Sequence, residues 1–146
     1  MIEIREVIAA DVMPQIMPMI QANWAETGFD YECKPSIELY AQLQQAGILF
    51  ALAAYHGEEV VGYVSAAIHS HPHNPAVIVV ATDALYVSKP YRGGTVGLRL
   101  IQETERIALD RGAHRISWHT RAGTSLSSSL IARGYTPDDV IVSRRL

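Results

Sequence analysis

The stretch Tyr91-Arg92-Gly93-Gly94-Thr95-Val96-Gly97 decides how this chain is read. It lies between an apolar, strand-like run ending in Ala84–Val87 and an amphipathic helix that begins near Val96. Two adjacent glycines let the backbone turn tightly and bring its N–H groups close to a ligand. The helix that follows aims its unpaired N–H groups and the positive end of its dipole at the same spot. Arg92 adds a cation whose fork suits phosphate oxygens. Strand, glycine turn and helix start together describe a cradle for a pyrophosphate.

Outward from the turn, the chain reads as one α/β domain spanning residues 1–146. Ile2–Val7 alternates apolar and charged side chains, the pattern of a half-buried strand. Asp11 can cap a helix carrying Val12, Ile16, Met19 and Ile20 on one side, which Pro18 should kink or divide. Pro35-Ser36 opens a short helix that runs to about Gln45. Ile48–Tyr55 is a continuous apolar run, expected of a central strand, and Val60–Ile68 is its hairpin partner. A loop is expected over His69–Pro75, then a long strand over Val77–Val87. After the helix from Val96, closed by Gly112, come a strand at His114–Thr120, a short helix at Ser125–Arg133 and a last strand at Val140–Leu146.

Composition sets limits on function. The chain is 49% hydrophobic and 18% charged, as in a globular protein, and its net charge of -3 lacks the basic excess of a nucleic-acid-binding surface. No apolar run reaches the length of a membrane span, and no basic-then-apolar leader opens the chain, so a cytoplasmic location is expected. Cys33 is alone, which leaves no intramolecular disulfide to form.

Leu85-Tyr86-Val87-Ser88-Lys89-Pro90-Tyr91-Arg92-Gly93-Gly94-Thr95-Val96-Gly97 resembles the acetyl-coenzyme A motif of the GNAT N-acetyltransferase family. Arg133-Gly134-Tyr135 is more weakly similar to that family's Leu-Gly-Phe helix ending. The resemblance implies a mixed, splayed sheet flanked by helices, with acetyl-CoA entering between Val77–Val87 and His114–Thr120. It implies that backbone groups of Leu85, Tyr86 and Val87 pair with the pantetheine arm. The N–H groups from Arg92 through Gly93, Gly94, Thr95 and Val96 to Gly97 would then hold the pyrophosphate. Homodimers are frequent in that family, though nothing in the sequence marks an interface.

Three positions depart from the family pattern. Thr95 replaces the middle glycine of the turn, and its hydroxyl can itself donate to phosphate. Leu130 stands where many members carry a tyrosine that protonates the leaving thiolate. Ala81 stands where many carry a glutamate base. The expected activity is direct acetyl transfer to an amine of a small molecule or peptide. A non-catalytic acyl-CoA binder, or a different nucleotide or phosphate binder, are the alternatives. Against the last, the turn lacks the Gly-Lys-Ser/Thr ending of a P-loop.

Candidate chemistry then falls on Asp83 and His119. Asp83 shares strand parity with Ala81, Leu85 and Val87, although a solvated strand carboxylate explains it equally well. His119 lies near the end of the neighbouring strand, where a histidine satisfied by the fold is the commoner case. Tyr86 points the other way from Asp83 on an ideal strand and is expected to pack. His69, His71 and His73 suit a polar loop better than a metal site. Trp24 and Tyr31 are candidates to wall a substrate pocket, whereas the serines from Ser125 to Ser129 lack the surroundings of a nucleophile.

Overall fold

The computed structural model describes all residues from Met1 to Leu146. Its element order is β1 Ile2–Val7, α1 Ala9–Thr27, α2 Ile37–Gln45, β2 Leu49–His56, β3 Glu59–His71, β4 Asn74–Val87, a 3-10 turn at Lys89–Tyr91, α3 Val96–Asp110, β5 Ala113–Ser117 and α4 Ser125–Ala132. The strands form one sheet in the order β1-β2-β3-β4-β5. The first four run antiparallel to their neighbours, and β5 lies parallel to β4, so the sheet is mixed.

β2 explains why its run is continuously apolar: it is covered on both faces. Phe50, Leu52 and Ala54 join Val64, Ala66 and Val80 beneath Val96, Leu100, Ile107 and Ala108 of α3. On the opposite face Ala51 meets Ala9 and Met13, while Ala53 meets Val12 and Ile16, all from α1. Alternate residues of one strand therefore bind two different helices.

α1 departs from the expected form in two ways. It starts at Ala9 with no side-chain cap of its own, and Asp11 sits in its first turn. Gln44 of α2 supplies the missing partner: its Oε1 accepts from the Ala9 N–H at 2.8 Å and its Nε2 donates to the Val7 carbonyl at 2.8 Å. Pro18 does not divide the helix, which runs unbroken to Thr27. Both Pro14 and Pro18 lie on the exposed side, where water can satisfy the freed carbonyl, and Val12, Met13 and Ile16 hold the buried side down.

The expected loop at His69–Pro75 is instead the tip of a long hairpin, with His71 paired to Asn74. His69 and His71 extend β3, so the prolines punctuate only the tip. At the other end, Val140–Leu146 forms no strand and is exposed, Val140 and Val142 each at 88%. Alternation describes what a strand needs, but a ladder partner must also be within reach, and here the chain beyond the Arg115–Asp138 ion pair meets none.

Two irregularities in β4 organise the rest. Ser65 pairs with Ala84 and Ala66 with Thr82, so Asp83 is the extra residue of a bulge. β5 pairs with β4 only from Ile78 to Ala81, with a register shift after Ile78, and ends at Ser117 rather than at Thr120. Beyond that point the two strands part. The buried Thr82 hydroxyl closes the last rung, donating to the Ser117 carbonyl at 3.2 Å and accepting from the His119 N–H at 3.1 Å. Thr82→Val keeps the shape and removes both bonds. It is expected to cost roughly 1–3 kcal/mol of unfolding free energy, read as a lower midpoint in chemical denaturation.

Candidate functional site

The parted strands make a cleft whose two ends are chemically different. At one end lies the glycine turn. Arg99 is the first residue of α3 whose N–H has a partner, the Thr95 carbonyl at 2.9 Å, and the N–H groups from Gly93 to Leu98 have no acceptor in the chain. Gly93 adopts φ +81, a conformation that disfavours any side chain. A Cβ added at Gly94 would meet nothing within 4 Å, so the space before the helix is open. Thr95 leaves its hydroxyl out of any cap. Unpaired donors, a positive dipole end and open space fit the anionic end of a CoA-type ligand.

Arg92 is placed differently from its expected role beside the phosphates. Its N–H donates to the Lys89 carbonyl, and its Nε donates to the Val87 carbonyl at 2.7 Å. The guanidinium forks onto both carboxylate oxygens of Glu26 at 3.0 and 3.1 Å and lies 5.0 Å from the centre of the Tyr86 ring. It bridges the turn to α1. The donors left for an anion are those from Gly93 onward. Leu85 and Val87 pack their side chains under α3, while β4 from Thr82 onward has β3 on one edge and no strand on the other. That open edge spans ~13 Å between Asp83 and Val87 at about 3.3 Å per residue.

At the other end lies Asp83. The bulge shifts the alternation, so Asp83 does not share a face with Leu85 and Val87. It faces α1 and α2 together with Tyr86, which unbroken alternation would have put on the opposite side. Its Oδ2 accepts from the Ser65 hydroxyl at 3.1 Å and from the Tyr40 hydroxyl at 3.2 Å. Tyr63 stands nearby, its ring 6.0 Å from that of Tyr86, and its hydroxyl accepts from Asn23 Nδ2 at 3.3 Å. Burial first, and then the Asp83 charge, push the Tyr40 phenol up to about 12, and burial raises Tyr63 as well. Both phenols are neutral at neutral pH, and Tyr40 is the one that donates to Asp83.

Tyr40, Tyr63, Ser65 and Asn23 carry no motif, and sequence reading did not select them. His119 anchors the cleft through its backbone N–H, while its ring is exposed and has no partner in the chain. Leu130 is buried and supplies no acid. His69, His71 and His73 do not converge with other ligands into a metal-binding group. The Ser125–Ser129 helix is capped by Thr124, which accepts from the Ser127 N–H. Trp24, Phe29 and Tyr31 cluster, with ring centres 4.6 to 5.4 Å apart, and Arg121 lies 4.7 Å from the Phe29 ring. The aromatic loop after α1 thus touches the segment after β5.

With this geometry in view, comparison with known proteins identifies the class. The acetyltransferase (GNAT) family profile matches residues 16–133. The chain belongs to the GNAT acetyltransferase family. No curated protein matches it. Among solved structures, an aminoglycoside acetyltransferase from an uncultured soil metagenomic sample is similar with a TM-score of 0.79 and 18% identity, over 100% of this chain and 98% of that one. A ribosomal-protein-alanine N-acetyltransferase from Brucella melitensis biovar Abortus 2308 gives 0.74 and 18%, over 99% of each chain. A predicted acetyltransferase with acetyl-CoA from Clostridium acetobutylicum gives 0.77 and 12%, over 99% of this chain and 96% of that one. At these identities the likeness is one of fold. No helix is long and apolar enough to cross a membrane.

Two substitutions separate the parts of the turn. Gly94→Val should weaken acetyl-CoA binding at least tenfold in calorimetry while leaving thermal stability nearly unchanged, because the added side chain fills only the open space. Arg92→Ala should do the reverse, lowering stability by ~1 kcal/mol with affinity within about threefold of the parent.

Proposed function

We propose that the protein transfers an acetyl group from acetyl-CoA directly to an amine. The observation that carries this is the row of unpaired N–H groups from Gly93 to Leu98, set where β4 opens away from β5. Gly93, Gly94, Thr95, Val96 and Gly97 would hold the pyrophosphate, and the open β4 edge at Leu85, Tyr86 and Val87 would take the pantetheine amides. Acetyl-CoA, when bound, supplies an acetyl thioester. A cytoplasmic location belongs to the same proposal, supported by the single free Cys33.

The chain's own residues divide the remaining work. Holding both reactants in one cleft supplies a large share of the rate. Asp83 is exposed at the cleft and takes the proton that an ammonium must shed before its nitrogen can attack. His119 lies just beyond the end of β5 and gives a proton to the departing sulfur. The new bond joins the amine nitrogen to the acyl carbon as the carbon–sulfur bond breaks, and the second proton lost by that nitrogen restores the one His119 gave to sulfur. The Ser88 N–H is committed to the Val61 carbonyl at 2.9 Å, so an N–H for the developing oxyanion must come from elsewhere on the open edge.

Thermal-shift and calorimetric titration with acetyl-CoA, CoA and ATP tests the cofactor. Stabilisation by both CoA species and none by ATP is expected, and no response to CoA would sink the proposal. Thiol release in an amine screen tests the transfer itself: release at background rates with every amine would leave only a CoA binder. Asp83→Asn should lower kcat/KM by at least 100-fold, consistent with the 10²–10⁴-fold typical of acid–base catalysis.

A further inference from the structure

Resting on the acetyl-transfer proposal, we infer that Asp83, Tyr40, Ser65, Tyr63 and Tyr86 form the acceptor subsite. We further infer that it selects a small organic cation, an alkyl- or arylalkylammonium, over a neutral molecule of the same shape. Tyr40 is its positioning residue.

The carboxylate is built to receive a charge. Both hydroxyl donors, Tyr40 and Ser65, reach the same oxygen, Oδ2. Oδ1 accepts nothing in the chain and remains available, while the two bonds hold its plane fixed. None of the protein's ion pairs includes Asp83. Arg92 comes near the cluster, but its charge is spent on Glu26. Asp83 is thus the exposed end of a polar cluster in which Tyr40 is half-buried and Ser65, Tyr63 and Tyr86 are each under 9% accessible.

The aromatic rings packed behind the carboxylate suit a positive charge in front of it. The Tyr63 and Tyr86 rings lie 6.0 Å apart and tilted by 31°. An aromatic face attracts cations through its quadrupole, and the effect grows where water is partly excluded. The phenols of Tyr40 and Tyr63 stay neutral at working pH, so neither adds a second anion beside Asp83. An alcohol or amide in this place would leave the free carboxylate oxygen without a countercharge.

Tyr40 acts through Asp83. It comes from α2 and reaches across to the bulge on β4, so its hydroxyl sets where the free oxygen points. Removing it should matter only while the carboxylate is present. That gives a readout a purely structural tyrosine would not show.

The test titrates the full-length protein, saturated with CoA, with phenethylamine and with 2-phenylethanol at neutral pH. The amine is expected to bind at least tenfold more tightly. Asp83→Asn should erase that preference. Tyr40→Phe should reduce it several-fold in the parent and not at all in the Asp83→Asn background, and Ser65→Ala should behave like Tyr40→Phe. Acetyl-CoA affinity should be the same in every variant, which also reports that each one folds. Equal affinity for amine and alcohol, undetectable binding of both included, would overturn the subsite, as would a preference that survives Asp83→Asn. Failure of the unmodified protein to bind acetyl-CoA would instead overturn the transfer proposal, so the two outcomes are read from separate titrations.

Discussion

The Thr82 hydroxyl is the point on which the molecule turns. It is the last link between β4 and β5, bonded to the Ser117 carbonyl and to the His119 N–H. Behind it the sheet is an ordinary ladder, and ahead of it the strands part. Parting exposes backbone groups along the β4 edge, which a protein ordinarily pairs or leaves to water. Here the exposure leads to the start of α3, where a second set of backbone donors is also unpaired. The two sets are what an extended ligand with amides along its length and phosphates at its end requires.

One extra residue at Asp83 assigns the two faces of β4 to different tasks. After the bulge, Leu85 and Val87 lie under α3 and complete the larger core. Ala84 and Tyr86 turn toward α1 with Tyr63, and Asp83 joins them through Ser65 and Tyr40. The α3 face therefore lies beside the glycine turn with its unpaired N–H groups, and the α1/α2 face holds the carboxylate. Arg92 spans both, leaving the turn to pair with Glu26 on α1 over the Tyr86 ring. Its fixed positive charge is committed to the link between those faces rather than to the open space before α3.

Much of this was legible from residue pattern. The strands and helices show their periods plainly, and the glycine turn is readable because Gly93 and Gly94 sit between an apolar strand and an amphipathic helix. The bulge was not legible, since alternation is read on an unbroken strand and the insertion of Asp83 shows only against β3. Tyr40, Ser65 and Asp83 are 18 to 43 positions apart along the chain, and nothing local connects them. Val140–Leu146 misled for the opposite reason: its pattern suits a strand, but no free partner edge lies against it. The histidines misled through Pro72 and Pro75, which suggested a loop where the β3–β4 hairpin merely ends.

By itself, then, the sequence determined the local chemistry: a turn with a glycine where the backbone goes left-handed, a helix start with donors to spare, and alternating strands with two sides to bury. These follow from φ limits, hydrogen-bond geometry and side-chain period, all of which act over a few residues. Tertiary structure decided which groups from distant segments meet. It set the register that isolates Asp83, the rung at Thr82 that ends the ladder, and the reach of Tyr40 from α2. Those depend on how strands slide and helices pack against one another, and packing is a property of the whole chain.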